Sequence, residues 1–244
     1  MLSFFLFFGF NQNHTVKLSI IMPIYNEAKT IREIVAKVLA VPLDIELIIV
    51  DDCSTDDTPT ILKNEYEGKF EHIKVLYHPK NRGKSAGIKT GIPHCTGEII
   101  SIQDGDLETN PNDFIHLTAP IRSGEAEVVY GSRYLNPDEP HLYKAYQLGG
   151  RLLSGTVNLL YGQKITDEPT CYKVFKADIL KKIPLTYDRF EFCPEVTAKV
   201  SKLGYKIKEL PMNYYPRSFA EGKKVSWKDG VKALWVLLKF RFVS

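Results

Sequence analysis

The sequence predicts a single α/β domain with a mostly parallel central sheet flanked by helices. Short apolar runs alternate with amphipathic segments through the first half of the chain. At this spacing the alternation calls for crossover connections, which give parallel strands with helices on both faces. Each run also ends in a polar or acidic cluster, and open sheets of this kind bind ligands beyond the carboxyl ends of their strands.

The run 17–23 is apolar and closes on Pro23, which predicts a buried strand. Ile31, Ile34, Val35, Val38 and Leu39 then recur at helical spacing, and Thr30 with Glu33 fits a capping box at the helix start. Residues 46–50 predict a second buried strand opening into Asp51 and Asp52. A helix over 58–66, a strand over 73–77, a helix after Asn81-Arg82-Gly83-Lys84 and a fourth strand over 98–103 follow. The second half is less regular: strand 127–131, helix 146–160, a strand-like piece 172–175, helix 194–203 and a last short strand 206–210. There is no internal repeat and no linker long enough to divide the chain.

The expected organisation is an apolar extension over 1–16, the α/β domain over 17–225 and a basic amphipathic helix over 226–244. The apolar stretch from Leu2 to Phe10 is far shorter than the roughly 20 residues a spanning helix needs. It lacks the basic region and cleavage site of a signal peptide. Asn13-His14-Thr15 has the form of a glycosylation sequon, a pattern common by chance. Cys53, Cys95, Cys171 and Cys193 show neither zinc spacing nor a disulfide framework, which suits a reducing, cytoplasmic setting. A net charge of +3 is too small to argue for nucleic acid. The positive charge instead gathers late, at Lys223, Lys224, Lys228, Lys232, Lys239 and Arg241. Trp227, Val231, Leu234, Trp235 and Leu238 share one helical face there, which suits either a membrane interface or packing on the domain.

The chemistry centres on Gln103-Asp104-Gly105-Asp106-Leu107-Glu108. Two carboxylates two residues apart on the turn leaving a buried strand can aim at one point, and hard ions such as Mg²⁺ or Mn²⁺ bridge carboxylates to phosphates. A lone Asp-x-Asp is more often a solvated turn; its place after a fourth strand, beside two other acidic clusters, favours the metal. Asp51 and Asp52 can accept from a base N–H or a ribose hydroxyl, or Asp52, Ser54 or Thr55 can cap a helix. Lys84 sits at a strand-to-helix turn that favours phosphate, although the pattern is not a Walker A loop. Arg133 is suited to phosphate or to a surface ion pair, and Asp167 and Glu168 lie in a loop before Pro169.

Six segments resemble, in order, a family-2 glycosyltransferase of the GT-A fold, in the dolichol-phosphate mannose synthase-like branch. They are Met22-Pro23-Ile24-Tyr25-Asn26-Glu27, residues 50–56, residues 81–84, residues 103–108, Tyr130-Gly131-Ser132-Arg133 and residues 166–173. The resemblance implies that Pro23, Tyr25, Glu27 and Asp52 surround the nucleoside, with Lys84 and Gln103 also on the donor side. It implies metal at Asp104 and Asp106 with help from Glu108, Arg133 facing an acceptor phosphate, and Arg217 and Lys223 clamping phosphates. Alanine often stands in this branch where the chain has Gly105, a change expected to matter little. Many relatives continue into transmembrane helices, so the expectation is a protein peripheral on the cytoplasmic face of a membrane, or one acting with a membrane partner. The implied reaction moves a hexose with inversion from a nucleotide-diphosphate sugar to a polyprenyl phosphate. The alternatives are a hydroxyl acceptor on a polysaccharide or glycolipid, with Asp167 or Glu168 as base, and a binding module without catalysis.

Overall fold

In the computed structural model, residues 16–136, 144–216 and 227–243 are described. The strands are β1 (Leu18–Ile24), β2 (Ile45–Asp51), β3 (Ile73–Tyr77), β4 (Ile99–Ile102), β5 (Val128–Ser132), β6 (Lys173–Lys176) and β7 (Ile207–Pro211). The helices are α1 (Ile31–Leu39), α2 (Thr58–Glu65), α3 (Lys84–Gly91), α4 (Phe114–Arg122), α5 (Lys144–Tyr161), α6 (Ala177–Leu180), α7 (Phe192–Lys202) and α8 (Trp227–Phe242). All twelve expected strands and helices from the first strand to the last are present, with ends shifted by a few residues at most. Helix α4 was not anticipated: it is short, carries Pro120 inside and buries Phe114, Leu117 and Thr118.

The seven strands form one sheet in the order β3-β2-β1-β4-β6-β5-β7. Strands β3, β2, β1 and β4 run parallel, β6 is antiparallel to both neighbours, and β7 is parallel to β5. Strand direction is invisible to hydrophobic pattern, so β6 could not have been oriented from sequence. Every residue of β1 and β2 is buried, because helices cover both faces of the sheet. Along β1, Ile21 joins one core while Ile20 and Met22 join the other, the two-residue alternation of a pleated strand.

At the amino end of the sheet a buried carboxylate ties three segments together. Glu46 on β2 accepts from the Ser19 hydroxyl on β1, the Thr96 N–H and the Gly97 N–H at 3.0 Å, and Lys17 lies 3.0 Å away. Burial alone would raise its pKa, but the hydrogen bonds from Ser19, Thr96 and Lys17 outweigh it and hold it at about 2.

Two expected caps differ. Thr30 makes no capping bond; its hydroxyl turns back to the Glu27 carboxylate at 3.0 Å, a stronger acceptor than any it could serve within the helix. None of Asp52, Ser54 and Thr55 caps α2; Asp56 accepts from the Thr58 N–H instead, at 3.0 Å.

Glu46→Gln should lower stability by about 1–3 kcal/mol, because an amide N–H₂ would face backbone donors. Urea unfolding against pH measures this. A depressed folded-state pKa places the whole difference above about pH 4.5 and removes it as pH falls through about 2. An equal loss at every pH would refute the charge-based account.

Candidate active site

The chain leaves β1 towards β2 on one side, while β4 pairs on the other, so a crevice opens at the carboxyl ends of these strands. A cavity of about 520 Å³ lies there. It is lined by Pro23, Tyr25 and Glu27 after β1, Asp52 after β2, Lys84 at the start of α3, and Asp104, Asp106 and Glu108 after β4. Arg133 after β5 and Glu168 join from the other half of the sheet. Nine separate sequence positions singled out for binding, and Glu168, thus share one cavity wall.

The backbone is bent where these strands end. Asn26, Cys53 and Leu107 have φ of 55°, 62° and 61°, the left-handed region that side chains disfavour. They are the only such non-glycine residues among those described, and each lies in a loop at the mouth of the crevice. Backbone strain of this kind clusters at binding and active sites. Gly105 makes its own turn possible: a Cβ there would lie 2.9 Å from Ile24 Cγ2 and 3.3 Å from Glu27 Cγ. The expectation that alanine would be harmless at Gly105 is therefore corrected, since Ile24 is a stiff, buried, β-branched neighbour.

Asp52 accepts from the N–H groups of Arg82 at 2.9 Å and Gly83 at 2.6 Å, and from His78 Nδ1 at 2.6 Å. Its carboxylate thus fixes the loop that launches Lys84. His78, which sequence reasoning missed, is buried and held from the other side by Thr90 at 2.9 Å. The Lys84 ammonium lies 2.6 Å from the Asp104 carboxylate. Burial would lower the pKa of Lys84, but Asp104 outweighs it and the net shift is upward, so this lysine stays charged.

Asp106 accepts from the Glu108 N–H at 3.2 Å, and Glu108 accepts from the Tyr214 hydroxyl at 2.7 Å. Among the described residues no three His, Cys, Asp or Glu side chains converge as a ready-made metal cluster. Asp104 and Asp106 nonetheless suit a hard divalent ion: both are carboxylates on one cavity wall, and a cation, Lys84, already rests against Asp104. Glu108, expected to assist there, is engaged with Tyr214.

Arg133 is neither free nor a surface ion pair. Its Nε and Nη2 each lie 2.7 Å from the Asp167 carboxylate, which also accepts the Arg133 N–H at 2.9 Å. Asp167 is fully buried; burial would lower the Arg133 pKa, but the Asp167 carboxylate outweighs it and holds it above its usual value. Glu209 on β7 in turn holds the Asp167 N–H at 2.9 Å and the Thr166 N–H at 2.6 Å. Asp167 as an available base is corrected by this geometry: both its oxygens serve to aim the guanidinium. The Tyr214 ring packs 5.0 Å from Arg133, so one tyrosine links the acidic turn to the cationic wall.

Glu168 is different. One oxygen accepts from Thr197 at 3.3 Å and the other has no partner, and burial raises its pKa against the pull of Lys173. Gln103 is also corrected. It is buried outside the cavity lining, where its amide N–H₂ donates to the Asp104 carbonyl and the Thr109 hydroxyl and its oxygen accepts from the Tyr172 hydroxyl. Its role is to brace the acidic turn. Arg217 and Lys223 lie outside the described residues, as does the extension over 1–15; the chain is pinned at Tyr215 by a 2.7 Å bond to the Glu108 carbonyl. Glu209, His78 and Tyr214 carried no sequence signal because their partners lie 26 to 106 residues away.

The glycosyl transferase family 2 profile matches residues 19–184. The chain belongs to glycosyltransferase family 2. This family 2 chain is 28% identical over 214 residues to the dodecaprenyl-phosphate galacturonate synthase of Rhizobium johnstonii, covering 86% of this chain and 62% of that protein. It is 26% identical over 211 residues to an undecaprenyl-phosphate 4-deoxy-4-formamido-L-arabinose transferase of an Enterobacter species, covering 85% and 62%. It thus spans less than two thirds of the length of these bacterial relatives. A dolichyl-phosphate beta-glucosyltransferase of Trichomonas vaginalis is 28% identical over 242 residues, with 92% and 73% covered. The glucosyl-3-phosphoglycerate synthase of Mycobacterium tuberculosis, solved with Mn²⁺, UDP and phosphoglyceric acid, superposes with a TM-score of 0.67 at 17% identity, covering 94% of this chain and 80% of that one. That likeness establishes the GT-A fold of this chain.

Gly105→Ala should cost about 1–3 kcal/mol in thermal or urea unfolding, the usual penalty of an overpacked site. Unchanged stability would show that the turn relaxes without strain.

Proposed function

We propose that this glycosyltransferase moves a hexose, with inversion, from a nucleotide-diphosphate sugar to a polyprenyl phosphate. The observation that carries the reading is Arg133, a cation locked by Asp167 on the wall of the cavity that also holds Asp104 and Asp106. A phosphate acceptor needs a fixed cation and no strong base, and that is what this wall offers. The relatives differ in the sugar they name and agree on a lipid phosphate: dodecaprenyl, undecaprenyl and dolichyl.

Pro23, Tyr25, Glu27 and Asp52 would surround the nucleoside, and Lys84 would offset charge on the donor phosphates. Asp104 and Asp106 would hold Mg²⁺ or Mn²⁺, which when bound supplies Lewis-acid stabilisation of the nucleoside diphosphate leaving group. Arg133 orients the acceptor oxygen, which is already anionic near neutral pH, for one in-line displacement at the anomeric carbon. The bond to the leaving diphosphate breaks as the bond to the acceptor oxygen forms, and no proton has to be removed. Arg217 and Lys223 would add positive charge to the donor phosphates.

A second reading, with a hydroxyl acceptor, draws on Glu168, whose unpartnered oxygen and raised pKa suit a base better than Asp167. Glu168→Gln separates the two. Transfer to polyprenyl phosphate should stay within about threefold of wild type, whereas a base in use would cost about 10²–10⁴-fold.

The principal test follows radiolabel from GDP-mannose and UDP-glucose, separately, into lipid extract with and without Mg²⁺ or Mn²⁺. The expected product is metal-dependent label in a mild-acid-labile lipid. Asp104→Ala should reduce transfer by about a thousandfold while leaving the unfolding curve near wild type. Near-normal turnover in that variant would overturn the metal assignment, and donor consumption without lipid label would overturn the acceptor.

A further inference from the structure

Helix α8 carries two apolar faces, and only one is used inside the protein. Val236, Leu237 and Phe240 are buried in the core. At about 100° per residue, Trp227, Val231, Trp235, Leu238 and Phe242 fall within an arc of about 80° on the other side, and all five are exposed. Trp227 and Phe242 are 73% and 78% exposed. Of the face that the sequence offered either to a membrane or to domain packing, Leu234 packs against the core from one edge and Trp235 leans on Tyr187, while Trp227, Val231, Trp235 and Leu238 stay exposed.

Helix α5 repeats the arrangement. Its Leu153 and Val157 are buried in the same core, while Leu148, Leu152 and Leu159 lie within an arc of about 40° on its outer side. Leu148 and Leu159 are 71% and 85% exposed. The two helices pack together, with the Tyr161 hydroxyl of α5 donating to the Leu237 carbonyl of α8 at 2.6 Å. Their inner sides, through Leu153, Gly230 and Ala233, line the cavity described above. Eight large apolar side chains on two adjoining helices are more than chance exposure on a monomer provides.

We propose that the outer stripes of α5 and α8 together form a surface that beds into the headgroup region of an anionic lipid bilayer. This deepens the reading of a lipid-phosphate acceptor and rests on it only for its purpose. Charge selects the occupant. Lys228, Lys232 and Lys239 follow one flank of the α8 stripe, Arg241 the other, and Arg151 is exposed on α5. A second copy of the chain would bring these cations against their own kind, whereas anionic headgroups complement them. Tryptophan at such a border is suited to the interface between water and acyl chains. Among the described residues no helix is long and apolar enough to cross a membrane, so these helices lie on the surface rather than span it. Bedded in this way, α5 and α8 would stand as a wall about one helix diameter, roughly 10 Å, between the cavity and the lipid headgroups.

The chain contains two tryptophans, Trp227 and Trp235, and both lie on the α8 stripe, so intrinsic fluorescence reports the event directly. Vesicles of phosphatidylcholine with phosphatidylglycerol should shift the emission to the blue, and brominated acyl chains should quench it. Phosphatidylcholine alone should bind at least about tenfold more weakly, and raised salt should narrow that gap. The variant Leu148→Ser, Leu152→Ser, Leu159→Ser changes only exposed positions and leaves both tryptophans in place. It should keep its circular dichroism and lose about tenfold or more in vesicle affinity. No spectral change with either vesicle would overturn the proposal, as would a dimer in sedimentation that the triple variant dissociates. Unchanged affinity in a folded triple variant would remove α5 from the surface and overturn the two-helix form. The vesicles contain no polyprenyl phosphate and no donor. Vesicle binding without any transfer would therefore count against the transferase reading alone, and transfer in detergent without vesicle binding against this inference alone.

Discussion

The constraint on which the rest depends is the parallel pairing of β1 with β2 on one side and β4 on the other. Strands that run together deliver their following loops to the same edge, and the chain's departure in opposite directions keeps those loops apart. The crevice is thus a consequence of topology before any functional side chain is considered. Hydrogen bonds across it then convert proximity into geometry. The Asp52 N–H donates to the Ile24 carbonyl at 2.9 Å, which fixes its position, and the Asp52 carboxylate sets the loop that carries Lys84.

Charge in the cavity is arranged by support rather than by abundance. Glu209 fixes the backbone at Asp167, Asp167 fixes Arg133, and Tyr214 lies between Arg133 and Glu108. A buried bidentate pair of this kind need not add stability, because desolvating both ions offsets much of their attraction. What it does provide is a guanidinium held in one orientation on the cavity wall. The Lys84–Asp104 pair is simpler and more accessible, with each side chain about a fifth exposed. The Arg133–Asp167 pair is thus held by a network on several elements, whereas Lys84 and Asp104 meet directly, the ammonium lying within 2.7 Å of both carboxylate oxygens.

The alternation of apolar runs made most of the sheet and its helices legible, because burial on both faces leaves β1, β2 and β4 almost free of polar residues. Asp104, Asp106, Arg133 and Asp52 were legible for the same reason: each stands immediately beyond such a run. Gln103 was misread because it shares that position while its side chain turns inward to Tyr172. Asp167 was misread because a carboxylate in a loop gives no sign of the arginine that consumes it. The direction of β6, helix α4, and the roles of His78 and Glu209 depend on pairings between distant segments, which local pattern does not encode.

By itself, then, the sequence determined the α/β class, the order of the elements and the acidic turn at 103–108, since these follow from local periodicity and from residue chemistry. Only the tertiary structure decided which carboxylates remain available, which are spent on partners, and which face of α8 is left outside. Those outcomes are set by competition among groups far apart in the chain for a limited number of hydrogen-bond and packing partners.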